Sequence, residues 1–297
     1  MNILFASGKG GAGKTTVSVS LANVWPRRAL LVDADVEAPN SSLFARTQIK
    51  QTEPSGMRVP AKVNERCDLC GDCLTICQWK AIVKLGERIT TFPDMCHGCG
   101  GCFAVCTRNA IVEGERPLGS INWGTAFDDR IPFIEGRSRI GESMTPPLLR
   151  ALNRTAKSFQ EADPKLDLLI DAPPGVSCPV MTASRIADAV VLVAEPTPFG
   201  LYDFLLALQA FEETRKPIAV ILNRCGQSKT EAIEKELVEL CQQKHVSLLG
   251  RLPFDMQAAQ HYAQSQPLSE LNEQWHQRFE NLAQAILLWQ ASEVQHA

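Results

Sequence analysis

Asn2-Ile3-Leu4-Phe5-Ala6 runs into Ser7-Gly8-Lys9-Gly10-Gly11-Ala12-Gly13-Lys14-Thr15-Thr16, and this opening stretch decides the fold. A short apolar run, a glycine-rich loop, and then Val17, Leu21 and Val24 at helical spacing read as strand, turn and helix. Gly8, Gly13, Lys14 and Thr15 meet Gly-x-x-x-x-Gly-Lys-Thr, the phosphate-binding loop. Glycines reach positive φ, so successive backbone N–H groups converge on an anion at the head of the helix. Lys14 is expected to reach the β- and γ-phosphates of a nucleotide and the Thr15 hydroxyl to ligate Mg²⁺. A plain glycine turn is the alternative, and it leaves the full motif between strand and helix unexplained.

Working outward, Trp25-Pro26 ends the first helix, because proline disfavours helical geometry in the residue before it. Ala29-Leu30-Leu31-Val32 then runs into Asp33 as a buried parallel strand would. Leu168-Leu169-Ile170 before Asp171, Ala189 to Ala194 and Ile218 to Leu222 repeat the pattern. Helical segments separate them, which predicts an α/β doubly wound, mostly parallel sheet. Trp275 to Val294 reads as an amphipathic helix with Phe279, Leu282, Ile286 and Trp289 on one side, packed against that sheet. Its one arginine, Arg278, against Glu280 and Glu293 leaves it without the basic face of a membrane-surface helix.

Residues 56–117 interrupt this rhythm with an internal repeat. Cys67 to Val83 matches Cys96 to Val112 at an offset of 29 residues, down to the Ala-Ile-Val after each cysteine run. A half-sized unit cannot bury a core alone, so the two halves must pack around something shared. The expected organisation is a discontinuous domain of residues 1–55 and 118–297 with 56–117 inserted.

Each run has the form Cys-x-x-Cys-x-x-Cys-x-x-x-Cys, which resembles the bacterial two-cluster ferredoxins. The resemblance implies an α+β ferredoxin-like insert in which each run gives three thiolates to one [4Fe–4S] cube and its fourth to the other. Cys67, Cys70, Cys73 and Cys106 would then hold the first cluster, and Cys77, Cys96, Cys99 and Cys102 the second. Gln78 and Thr107 stand where that family often has proline. Zinc is the alternative, since Cys₄ zinc sites also use Cys-x-x-Cys pairs. His97 reads as a solvent-facing loop residue or a tuner of the second cluster. Cys178 reads as a packed small residue or a functional thiol, and Cys241 as core.

Lys9 puts a second lysine near the start of the loop, and Lys-Gly-Gly-x-Gly-Lys-Thr resembles the deviant phosphate loop of the MinD/Mrp/ParA class. That resemblance covers nearly the whole chain and implies a homodimer in which Lys9 crosses to the partner's nucleotide. It implies that Asp33 of Asp33-Ala34-Asp35 contributes to the Mg²⁺ shell while Asp35 orients the attacking water. Asp171-Ala172-Pro173-Pro174-Gly175 resembles the Walker B strand end and second switch. Asn223 resembles the residue that hydrogen-bonds adenine, and Pro253-Phe254-Asp255 the loop that closes over the base. Carboxylates at strand C-termini independently fall beside the crevice where open α/β sheets bind ligands.

The chain of 297 residues is 45% apolar and 21% charged with a formal net charge of −3, so no basic field favours nucleic acid. No stretch approaches the ~20 apolar residues of a membrane span, and Met1 to Ser7 lacks a charged leader region. Eleven cysteines in a chain of this size fit metal binding in a reducing cytoplasm better than a secreted disulfide scaffold. The expectation is an ATPase using ATP, Mg²⁺ and two [4Fe–4S] clusters, coupling nucleotide state to electron transfer or cluster delivery to an acceptor protein. The alternatives are a regulatory or positioning ATPase whose clusters sense redox state, and a non-hydrolysing scaffold.

Overall fold

The computed structural model describes residues 1–296, in two compact units. The first comprises Met1–Glu53, Ile121–Arg137 and the chain from Leu149 onward; the second comprises Pro54–Ser120 and Ser138–Leu148. The chain begins with β1 (Asn2–Ala6), α1 (Lys14–Val24), β2 (Ala29–Asp33) and α2 (Ser41–Phe44). The strand β3 (Gln48–Val63) leads to α3 (Asp72–Ile76), β4 (Ile82–Leu85), β5 (Arg88–Thr91) and α4 (Gly101–Val105). Next come β6 (Ile111–Ala126), β7 (Ile131–Ser138), α5 (Thr145–Ala162), β8 (Asp167–Asp171), α6 (Cys178–Ala183) and β9 (Ala189–Ala194). The remainder is α7 (Pro198–Glu212), β10 (Ile218–Cys225), α8 (Glu231–Gln243), β11 (Ser247–Pro253), α9 (Met256–Ala263) and α10 (Glu273–His296).

In the first unit the sheet runs in the order β11-β10-β9-β1-β8-β2-β7-β6-β3, with every neighbouring pair from β11 to β7 parallel. Phe5, Leu31, Phe133, Leu169, Val191 and Ile221 point to one face, where Leu21 of α1 and Phe279, Leu282 and Ile286 of α10 complete a single buried cluster. Each such side chain contributes about 1.5–3 kcal/mol on leaving water. The apolar stripe of α10 is therefore spent on the sheet. Trp25 turns to extended geometry, ψ 126°, ahead of Pro26.

Strands β3, β6, β7 and β11 lie outside the apolar runs that mark the other strands. The β3 sequence is polar and largely exposed, with Pro54 and Pro60 inside it, so neither periodicity nor burial announces a strand. In β6, Gly124 is imposed by close approach: a Cβ there would stand 1.9 Å from the Gln48 carbonyl oxygen.

The second unit is broader than the expected insert of residues 56–117, because Ser138–Leu148 belongs to it. Arg139 N–H donates to the Leu118 carbonyl, and the Glu142 carboxylate pairs at 2.6 Å with Arg116, both buried. These long-range ties leave no local trace in sequence. The unit holds an antiparallel β4–β5 hairpin and two short helices in contact, α3 and α4, preceded by Gly71 and Gly100 with φ of 87° and 75°.

Candidate functional site: a phosphate-loop cleft and two cysteine hollows

Gly13, φ 97°, ends the loop in left-handed geometry and provides no side-chain cap for α1. The first amides of that helix stay free to bind an anion. Gly8 is fixed by sterics, since a Cβ would lie 1.9 Å from the Asp203 carbonyl oxygen on α7. The ends of β1, β2, β8 and β10 border a cleft with about 1150 Å³ of empty space, open solvent included. Gly10, Gly11, Lys14, Thr15, Thr16 and Asp35 line its phosphate end, and Asn223, Pro253 and Tyr262 lie further along. Lys14 is 93% buried by its surroundings, with only 7% of its surface exposed, so its charge acts in a medium far less screening than water.

Asp171, fully buried, accepts a 2.6 Å hydrogen bond from the Thr15 hydroxyl and a 3.1 Å one from the Ser41 hydroxyl, both on Oδ2. Its Oδ1, like Oδ1 of Asn40, is buried without a partner. Burial pushes the Asp171 carboxyl up to about 6, against the pull of Lys14 and of the Thr15 and Ser41 hydrogen bonds. A hydroxyl, a crowded carboxylate and an unsatisfied oxygen at the phosphate end fit a hard divalent cation that arrives with the nucleotide.

Asp33 is held by its own loop. Its Oδ1 accepts from the Asp35 amide and its Oδ2 from the Asn40 and Ser41 amides, so its oxygens fold the following loop instead of facing the cleft. Burial, then the neighbouring Asp171 charge, raises it well above the carboxylate range. Asp35 does face the cleft, raised by burial and opposed by Lys14. Lys9 Nζ lies 3.8 Å from Asp203 Oδ2. Asn223 donates through Nδ2 to the Ala12 carbonyl at 2.9 Å, bracing the phosphate loop.

Sequence reasoning missed Ser41, Asp203 and Tyr262. Tyr262 stacks on Phe44 with centroids 4.4 Å apart, linking α9 at the far end of the cleft to α2. Burial raises its phenol, with a hydrogen bond to Thr16 opposing. These are pairings between distant segments, and no local pattern marks them.

In the second unit Cys67, Cys70, Cys73 and Cys106 line one hollow with about 370 Å³ of empty space, and Cys77, Cys96, Cys99 and Cys102 line another with about 380 Å³. Each hollow thus takes three thiols from one run and the fourth from the other. Backbone amides of Ala110, Ala81 and Gly98 donate to the sulfurs of Cys106, Cys77 and Cys96 at 3.2–3.3 Å. Burial, then the neighbouring thiols, raises Cys73 and Cys96 and pushes Cys102 up to about 11, where Cys96 is the foremost neighbour. Arg116 donates to the carbonyls of Asp94 and Cys96, holding the second run's loop.

A zinc ion sits about 2.3 Å from each thiolate and draws all four to one point. Among the described residues no three Cys, His, Asp or Glu side chains converge as a single ion requires. Cys178 is exposed at the start of α6, which corrects the packed reading; Cys225 and Cys241 are buried. Burial pushes their thiols up to about 12 and about 11, which keeps them protonated.

The CobQ/CobB/MinD/ParA nucleotide binding domain model matches residues 3–268. An uncharacterised protein of Methanocaldococcus jannaschii is 34% identical over 229 residues, 76% of this chain and 79% of that one. An iron-sulfur cluster carrier protein of Helicobacter pylori is 25% identical over 271 residues, 85% of this chain and 56% of its own length. Among solved structures, the septum site-determining protein MinD of Pyrococcus horikoshii, complexed with Mg-ADP, matches with a TM-score of 0.55 at 20% identity over 96% of this chain and 95% of that one. A MinC:MinD cell division complex from Aquifex aeolicus gives 0.55 at 16% identity, again over 96% and 95%. Likeness at these identities shows a shared fold. No helix among the described residues is long and apolar enough to cross a membrane.

Proposed function

Since the chain belongs to the CobQ/CobB/MinD/ParA nucleotide-binding family, we propose that it is a Mg²⁺-dependent ATPase carrying two [4Fe–4S] clusters, whose nucleotide state governs electron or cluster transfer to a partner protein. One observation carries this reading: a phosphate-loop cleft shares the chain with two hollows, each lined by four cysteines. The similarity to an iron-sulfur cluster carrier protein supports it.

In the cleft, free amides of the loop and the Lys14 ammonium bind the β- and γ-phosphates. Thr15 and Asp171 would hold Mg²⁺, which when bound offsets charge on the phosphate oxygens. Asp35 orients a water in line with the γ-phosphorus; its oxygen bonds phosphorus as the bond to ADP breaks, and the proton passes to the released phosphate. Lys9, released from Asp203, reaches the nucleotide of a second copy. In the second unit Cys67, Cys70, Cys73 and Cys106 hold one cluster, and Cys77, Cys96, Cys99 and Cys102 the other. Bound cubes supply one-electron chemistry, and a reducing compartment suits eight unpaired thiols, six of them exposed or half-exposed.

The test is thermodynamic coupling. Effector coupling of ~1–3 kcal/mol corresponds to roughly 40–130 mV for a one-electron couple. Redox titration followed by electron paramagnetic resonance should find at least one cluster shifted by that amount between ADP and a non-hydrolysable ATP analogue. Cluster reduction should change nucleotide affinity by the matching factor. Identical potentials with identical affinities would leave an ATPase and a cluster unit that merely share a chain.

A further inference from the structure

The internal repeat places two side-chain pairs at equivalent positions, and the pairs differ in kind. Trp79, two residues past Cys77, stacks on His97, one past Cys96, with ring centroids 4.2 Å apart and planes 15° from parallel. Arg108, two residues past Cys106, donates from Nε to Oδ2 of Asp68, one past Cys67, at 2.7 Å. The 29-residue offset carries Trp79 onto Arg108 and Asp68 onto His97, so the two contacts occupy the same place in the two halves. Trp79 and His97 line the hollow of Cys77, Cys96, Cys99 and Cys102. Asp68 and Arg108 line the hollow of Cys67, Cys70, Cys73 and Cys106. The thiols differ in the same sense: Cys96 and Cys102 are buried, and none of the first four is.

We infer that the two hollows have unequal duties: the first, closed by the Arg108–Asp68 pair, is the site at which the bound group is exchanged, and the second, closed by the Trp79–His97 stack, retains its group. This rests on the iron–sulfur reading above. All four side chains, Asp68, Arg108, Trp79 and His97, are exposed, but only the first two carry a charge pair that water competes for and salt screens. Asp68 also accepts from the Cys70 amide at 3.3 Å, so opening the pair loosens the loop that presents an exposed thiol. Stacked rings exclude water by contact, and salt does not screen them. Exchange at the first hollow is ligand substitution. With a cluster bound, Cys70 would be the thiolate that gives way to an incoming thiol and takes up its proton, a substitution that needs no oxidant or reductant.

The experiment follows iron release from the anaerobically loaded full chain to a ferrous chelator, bathophenanthroline disulfonate. Two phases of equal amplitude are expected, separated by roughly ten-fold in rate. Only the fast phase should accelerate as salt rises from about 0.05 to about 0.5 M. Trp79→Arg with His97→Asp moves the ion pair to the second hollow, and should bring the slow phase to the fast rate and make it salt-dependent. Should that variant fail to load, Asp68→Asn is the second arm: its fast phase should lose its salt dependence while the slow phase is unchanged. A single phase in the natural chain, salt acceleration of both phases, or an unaltered slow phase in the transplanted variant would overturn the inference. A chain without sulfide would defeat the iron–sulfur reading separately. Maleimide labelling of the thiols, mapped by mass spectrometry, then decides the inference: Cys67, Cys70, Cys73 and Cys106 reacting faster as a set supports it, and equal rates overturn it.

Discussion

In the nucleotide cleft, Thr15 and Asp171 stand 2.6 Å apart across 156 positions of chain, held there by β1 and β8 paired in the middle of the sheet. In the second unit every thiol of both hollows comes from the stretch Cys67 to Cys106. The apolar support differs as much. Beneath the cleft, strands and helices bury a continuous cluster from Ile3 to Trp289. Around the cysteines the buried cluster is Ile82, Ile89 and Cys102, with Val63, Leu74, Phe103 and Ile111 partly buried against it. The cleft is held open by a fold that stands without its ligand. On the proposed iron–sulfur reading the hollows depend on what fills them, because a core that small cannot offset the conformational entropy of the loops around it.

The largest effect should follow from stripping the metal. Binding energies on the order of 10 kcal/mol for a structural metal act as folding energy in units of this kind. Hydrogen exchange of the metal-free chain should lose protection between residues 64 and 112 and keep it in β1, β8 and β9. Retained protection around the cysteines would remove the contrast between the units. Arg116→Met comes next. It leaves the buried Glu142 with the half-exposed Arg139, at 3.3 Å, as its remaining counter-charge, a cost of about 3 kcal/mol or less, and thermal unfolding should show the second unit melting earlier while nucleotide affinity is unchanged. Lys14→Ala acts on the other unit. Removing the buried ammonium should weaken nucleotide binding roughly a hundred-fold or more by calorimetry, with iron content unaltered.

Much of this contrast was legible in the sequence, for a physical reason. Strands buried on both faces write themselves as apolar runs, so β1, β2 and β8 to β10 could be read directly. Cysteine spacing is equally local, and the repeat from Cys67 to Val83 and from Cys96 to Val112 set which thiols belong to which half. The edge strands escaped because β3 is polar and exposed. The inclusion of Ser138–Leu148 in the second unit escaped because it depends on Arg116 meeting Glu142. Asp33 was singled out by the resemblance of Asp33-Ala34-Asp35 to a switch segment, which carries no sign that its oxygens accept from the amides of Asp35, Asn40 and Ser41. Position along a motif predicts the residue type. The direction in which a carboxylate points is set by the loop it folds.

The smallest predicted effect concerns pH. Burial lifts Asp171 to about 6 and Asp33 well above the carboxylate range, so the folded apo chain binds these protons more tightly than the unfolded one. That stability is present at low pH and is lost as pH rises through about 6. A bound Mg²⁺–nucleotide favours the carboxylate, so its stabilising effect should grow over the same window. Melting curves with and without Mg-ADP at pH 5 and 7 should show the ligand's shift larger at pH 7 by a few degrees. Asp171→Asn should flatten the difference.

The central claim is that the thiols of the second unit enclose two cubes, and metal analysis tests it most directly. Anaerobically purified chain should contain about eight iron atoms and eight acid-labile sulfides, four of each per hollow. One or two zinc ions per chain with no sulfide would contradict it.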